Sequence, residues 1–94
     1  MSERVGLLVA VMEEATALVH QLKLQALPPE GPCRVYGGVA DGVSLTLVVS
    51  GAGPDRARRG ARLLHQLCEP HWMISVGLAA PLLLHLADIV DGLI

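Results

Sequence analysis

Between Val43 and Pro70 the chain reads VSLTLVVSGAGPDRARRGARLLHQLCEP, a buried strand that delivers a glycine loop to the start of a helix. From Val43 to Val49 nearly every residue is β-branched or aliphatic, the pattern of a strand covered on both faces by helices, as in a parallel sheet. Ser50, Gly51, Ala52 and Gly53 interrupt that apolar run. Pro54 suits the first helical position, and Asp55 supplies the negative charge that favours a helix start. Ala57, Ala61, Leu64 and Cys68 then recur at helical spacing, with small residues nearest the glycines so that helix and strand can approach closely. A loop of this kind is expected to offer free backbone N–H groups to whatever binds at the carboxyl end of the strand.

The remaining segments fit around that unit. Val5 to Val11, VGLLVAV, predicts a second buried strand. Met12 to Leu24 changes to a helical period: Ala15, Leu18, Val19, Leu22 and Leu24 share roughly one side, and Glu13 and Glu14 fall in the first turn, where the helix dipole favours carboxylates. Ala26 to Pro32, ALPPEGP, ends the helix and is expected to be a loop, because adjacent prolines cannot continue it. Cys33 to Ala40 and Val43 to Val49 flank Asp41 and Gly42, the dipeptide of a tight type I′ hairpin. After the helix from Pro54 to Cys68, Pro70 closes the turn and Trp72 to Val76 predicts a further strand, terminated by Gly77. Leu78 to His85 is open between loop and short helix. The order strand, helix, hairpin, helix, strand argues for a single α/β layered domain with a mixed sheet over residues 1–94.

Composition narrows the classes of function. At 94 residues the chain forms one small domain, and a chain of this size hides only about 60–65% of its unfolded surface. Only 2% of residues are aromatic, too few for the stacking platforms of a single-strand nucleic-acid binder, and a net charge of −2 gives no general attraction to phosphate backbones or acidic membranes. No nucleic acid and no membrane are therefore expected as partners. Trp72 to Leu84, WMISVGLAAPLLL, is too short to span a bilayer, contains Pro81 and runs into His85 and Asp88. Cys33 and Cys68 lack a CxxC partner, and Met1 to Arg4 lead into a strand without a secretory pattern, so a cytoplasmic setting with two free thiols is expected. Four of the seven basic residues crowd into Arg56, Arg58, Arg59 and Arg62. Two meanings stay open for that cluster: a solvated helix face, or a site for an anion or a partner.

Three strand ends should gather on one rim: Ala10 to Glu14, Ser50 to Gly53, and Gly77 to Ala80. Ligands of open α/β sheets bind at such a carboxyl rim. The dinucleotide fingerprint GxGxxG fails, since Arg56 stands where its third glycine belongs, and neither the P-loop pattern nor GxSxG is present. Histidines 20, 65, 71 and 85 show no metal spacing, so neither metal nor cofactor is expected.

Three ordered blocks carry a resemblance that spans nearly the whole chain: VGLLVAVMEEATAL, then VYGGVADGVSLTLVVSGAGPDRA, then EPHWMISVGLAA. Together they resemble the amino-terminal part of the purine nucleoside phosphorylase and nucleosidase superfamily. The nearest patterns are the methylthioadenosine/S-adenosylhomocysteine nucleosidases and the hopanoid-associated phosphorylases. The resemblance implies a three-layer phosphorylase/hydrolase-like α/β fold, here truncated, and cleavage of the N-glycosidic bond of a purine nucleoside by water or phosphate. It implies that Glu14 holds and polarises the attacking water. An oxocarbenium-like transition state needs a weak nucleophile only to be positioned and relieved of a proton late. Ser50, Gly51, Ala52 and Gly53 would border the ribose, Gly77, Leu78, Ala79 and Ala80 would line the base and nucleophile site, and Ala10 is a further substrate-binding position. Phosphorylases of the superfamily carry an arginine in the first loop, which VMEEATAL lacks, so hydrolysis is favoured, with phosphate retained as a possible co-substrate.

The same resemblance exposes departures. Leu78 removes a hydroxyl that would bond the nucleophile, Pro81 removes a backbone donor, and Ala87 replaces a customary glycine. The family's second half supplies a ribose-gripping glutamate and a purine-protonating aspartate, so an amino-terminal portion alone is expected to be inactive. A truncated sheet would leave unpaired backbone groups and apolar helix faces, so a homo-oligomer or a partner chain is also expected. A non-enzymatic α/β module that binds a partner chain through an open sheet edge is the alternative.

Overall fold

A computed structural model describes residues 3–76. Within it β1 (Arg4–Val9), α1 (Met12–Leu22), β2 (Gln25–Glu30), β3 (Cys33–Ala40), β4 (Val43–Val49), α2 (Pro54–Cys68) and β5 (Trp72–Val76) follow one another. The strands form one mixed sheet in the order β2-β3-β4-β1-β5. β1 runs parallel to β4 on one side and to β5 on the other, while β2, β3 and β4 form an antiparallel meander.

Alternation along the strands sorts the core into two layers. Leu7, Val9, Leu45, Leu47 and Val49 face α1 and pack with Ala15 and Leu24. Leu8, Val48, Cys33, Val35 and Met73 face the other way, against Ala61 and Leu64 of α2. β4 is therefore covered on both faces, as its largely β-branched and aliphatic run predicts. Leu47, Leu64, Val9 and Val48 are fully buried; each buried aliphatic side chain of this kind contributes roughly 1.5–3 kcal/mol. At the far rim, His71 joins the starts of β1 and β5. The Arg4 N–H donates to its Nδ1 at 3.1 Å, and its own N–H donates to the Arg4 carbonyl at 2.8 Å.

Two expectations need correction. The first helix ends at Leu22, because Lys23 turns left-handed at φ 55° and the Leu24 N–H returns to the Val19 carbonyl at 2.9 Å. Leu24 is nevertheless buried, in space that Gly38 leaves open: a Cβ there would stand 3.1 Å from Leu24 Cδ2. The second correction concerns the proline segment, which is an edge strand and not a loop. Leu27 pairs with Val35 and Glu30 with Cys33, and the register shifts between them, across Pro28 and Pro29. Prolines cannot donate to a ladder, but an edge strand needs partners on one side only. The hairpin is as expected, with Asp41 at φ 51° and Gly42 at φ 78°.

Candidate functional site

Parallel pairing of β1 with both β4 and β5 brings their carboxyl ends to one rim, with Val9 level with Val49 and Val76. The loop after β4 is stitched to the loop after β1: the Ser50 N–H donates to the Val9 carbonyl and the Gly51 N–H to the Ala10 carbonyl, both at 2.9 Å. These two N–H groups are consumed by the extended ladder, so the expectation that they are free for a ligand is corrected. The Ser50 hydroxyl donates to the Gly51 carbonyl at 2.9 Å. The chain then passes through Gly51 at φ 91° and Gly53 at φ 102°, conformations that L side chains rarely adopt, and enters α2. Gly53 serves as N-cap without a side-chain bond, its carbonyl accepting the Ala57 N–H at 3.0 Å. Gly60 lets α2 lie directly on this loop, because a Cβ there would stand 2.6 Å from Ser50 Cβ.

A cleft of about 610 Å³ opens on this rim. One wall is the turn into α1, from Ala10 to Glu13; another is Ser50 and Gly51; a third is Pro32, Cys33 and Arg34, where β3 begins. Arg56 and Arg59 enter from α2. The stem of Arg56 lies across Gly51, where a Cβ would stand only 2.8 Å from its Cδ. Beneath the rim the Tyr36 hydroxyl reaches the Met12 sulfur at 3.9 Å, which ties β3 to the first turn of α1.

Of the residues predicted for the site, Ala10, Ser50 and Gly51 line the cleft. Ala52 and Gly53 follow in the same loop and are exposed. Glu14 is the third residue of α1 and half-buried, while its neighbour Glu13 is the carboxylate on the cleft wall. Gly77, Leu78, Ala79 and Ala80, with Pro81 and Ala87, lie outside the described residues. The sequence reading missed Arg34, Pro32 and Cys33, since nothing in a hairpin pattern says that the start of β3 meets the carboxyl ends of β1 and β4. The signal available was the antiparallel register itself, which sets Arg34 opposite Val49. The arginine cluster of α2 divides: Arg56 and Arg59 face the cleft, whereas Arg58 pairs with Asp55 at 3.8 Å on the exposed side.

Both thiols are free. Burial pushes the Cys68 thiol above its ordinary value of 9.0, opposed by a hydrogen bond with Thr46 and the nearby charge of Arg4, and its Sγ donates to the Leu64 carbonyl at 3.3 Å. Among the described residues no helix is long and apolar enough to cross a membrane.

No family model matches the chain. Solved structures do. The Arabidopsis thaliana 5′-methylthioadenosine nucleosidase is similar at a TM-score of 0.75 and 22% identity, over 81% of this chain and 37% of that one. The Streptococcus pyogenes S-adenosylhomocysteine nucleosidase, solved with 5-methylthiotubericidin, gives a TM-score of 0.71 at 25% identity, over 81% and 32%. Futalosine hydrolase of Helicobacter pylori gives 0.71 at 17%, over 80% and 34%. The chain thus has part of the nucleosidase fold, as the three sequence blocks imply, and it spans about a third of the length of the structures it matches.

Proposed function

We propose that the rim where β1 and β4 end is part of a purine-nucleoside site of the N-glycosidic-bond-cleaving kind, with 5′-methylthioadenosine or adenosylhomocysteine as representative ligands. The observation that supports this most is the joint one of fold and rim. A chain similar over four-fifths of its length to nucleosidases also opens its cleft between the first turn of α1 and the glycine loop after β4. In this reading the ribose lies against Ser50 to Gly53, whose small residues let a sugar approach the backbone. Glu14, at the third position of α1, holds the attacking water, and its proton leaves late because the sugar has already become cationic. Hydrolysis is preferred over phosphorolysis, since the first block carries no arginine.

The chemistry also requires a proton for the departing purine. Glu13 is the only carboxylate on the cleft wall among the described residues, and it shares a helical turn with Glu14, so neither stands across the sugar from the other. The leaving-group acid is assigned to the part of the nucleosidase fold that lies outside the third this chain spans, and residues 3–76 are expected to bind nucleoside without turning it over. A homo-oligomer or a partner chain would then complete the site. Adenine release and calorimetric binding of 5′-methylthioadenosine by the purified chain test both halves of this reading. Binding without adenine release is expected. Sustained release abolished by Glu14→Gln would overturn the claim of inactivity, and absence of binding by any purine nucleoside would overturn the site.

A second reading has its own observation. Trp72 and Ile74 on β5 are 59% and 38% exposed, on the α1 face of the sheet, and among the described residues β5 is paired on one side only, by β1. A module that binds a partner chain there would sediment as a complex with that chain and ignore nucleosides.

A further inference from the structure

At the rim opposite the cleft, a side chain helps to close β1 onto β5. Among the described residues β5 pairs only with β1, and that ladder begins at Val5 with Trp72. One residue further out, the His71 N–H donates to the Arg4 carbonyl at 2.8 Å, and the Arg4 N–H donates back to His71 Nδ1 at 3.1 Å. The ring nitrogen thus takes the acceptor's part that a carbonyl plays elsewhere in the sheet. It can do so only as the neutral imidazole with its proton on Nε2, because a protonated ring presents donors at both nitrogens. Charged groups meet the ring from both sides of this junction. Glu3, just before β1, places Oε2 3.7 Å from the same Nδ1, and its carbonyl accepts the Ser44 N–H at 2.8 Å, which fixes the main chain there to β4. Arg4 donates from Nε to the Glu69 carbonyl at 3.1 Å, so its charge lies at the turn between α2 and β5, near the Cys68 thiol. Glu69 is the other acidic residue of that turn.

From these contacts we infer that His71 is a pH-responsive latch between β1 and β5, closed by the neutral imidazole and opened when the ring takes up a proton. A proton on Nδ1 sets two donors, Nδ1–H and the Arg4 N–H, against each other across 3.1 Å, so the ring must leave the Arg4 amide. The Glu3 carboxylate, at 3.7 Å, is the acceptor that the new N–H then reaches. That exchange does not restore the closure. The His71 and Glu3 side chains are 45% and 59% exposed, and an ion pair so open to solvent contributes little. It also leaves the Arg4 N–H without its partner from the β5 side. The latch matters to the sheet because β1 is the one strand that pairs with β5 among the described residues. β5 in turn ends at Val76, level with Val9 on the rim of the candidate site. The inference rests on the far rim alone and is independent of what the cleft binds.

The test joins imidazole and amide NMR on the intact chain with urea unfolding, each followed from about pH 8 to about pH 5, where histidine changes charge. At the upper end the His71 ring is expected with its proton on Nε2, and the exposed His20 and His65 rings serve as references. The Arg4 amide shift is expected to follow the protonation of His71. His71→Asn supplies the decisive comparison, because its Oδ1 stands at the same place along the side chain as Nδ1, accepts the same N–H and takes up no proton. The unfolding equilibrium constant of the wild type should rise at least about threefold relative to His71→Asn across that range. Glu3→Gln removes the nearby carboxylate, and its Arg4 amide should still respond to the ring. A neutral His71 ring protonated on Nδ1, or equal pH dependence of wild type and His71→Asn, would overturn the latch. So would a Glu3→Gln chain whose Arg4 amide ignores pH, since the response would then belong to the ion pair and not to the lost acceptor.

Discussion

Replacing Gly60 by alanine should loosen the rim more than any other one-methyl change on α2. A Cβ at Gly60 would stand 2.6 Å from Ser50 Cβ and 2.7 Å from Leu8 Cδ1, well inside the 3.4 Å at which ordinary contact begins. Leu8 can turn its methyl aside, but Ser50 Cβ is fixed to a loop already hydrogen-bonded to Val9. The helix must therefore move. Overpacking of this kind costs about 1–3 kcal/mol, and contact with so rigid an atom puts it near the upper end. Alanine's better helix propensity returns about 1 kcal/mol. The net loss is about 2 kcal/mol, which for a domain of this size lowers Tm by roughly 8–16 °C. Gly37→Ala is the internal comparison. Its Cβ meets Leu27 Cδ1 at 2.9 Å, the free end of a side chain on the exposed edge strand, and nothing else closer than 3.6 Å. That variant should stay within about 0.5 kcal/mol of wild type. Circular-dichroism melts and urea titrations of the three proteins decide the matter. A Gly60→Ala protein as stable as wild type, or a Gly37→Ala protein equally damaged, would refute the close seating of α2 on the loop.

Other outcomes follow from single positions. Gly42→Ala should cost about 1–2 kcal/mol, because Gly42 holds φ 78° in the hairpin turn, while Asp41→Gly at φ 51° should cost nothing measurable by urea unfolding. Cys68 makes stability depend on alkaline pH. Its folded value is raised, so its contribution is complete below 9.0, where the unfolded thiol is still protonated, and is lost as pH rises through the folded value. Wild-type stability should therefore fall relative to Cys68→Ala above pH 9.0, and a parallel pH dependence of the two would contradict the burial of that thiol.

Much of the fold is legible in the residues because local and global preferences agree there. The aliphatic run of β4, the Asp41–Gly42 turn and Pro54 at the head of α2 each permit one local structure, and the sheet uses all three. Ala26 to Pro32 misleads because proline's veto on helices and central strands says nothing about an edge, where Pro28 and Pro29 need no inward partner. Leu24 misleads for a related reason: its apolar side chain extends the helical stripe, yet its backbone belongs to a left-handed stop and its burial depends on Gly38, fourteen residues away. At the site, the glycine loop and the acidic turn can be read from spacing, since each lies within one strand–helix junction. The basic wall cannot, because it is assembled by the register of β3 on β4, which brings Arg34 beside Val49.

The most direct measurement is the map of amide shifts in the chain on saturation with 5′-methylthioadenosine. Perturbations concentrated at Ala10 to Glu14 and Ser50 to Gly53 are expected, with the far rim at Arg4, His71 and the Asp41–Gly42 turn unmoved. A map centred on that far rim, or on Trp72 and Ile74, would contradict a nucleoside site between the first turn of α1 and the loop that follows β4.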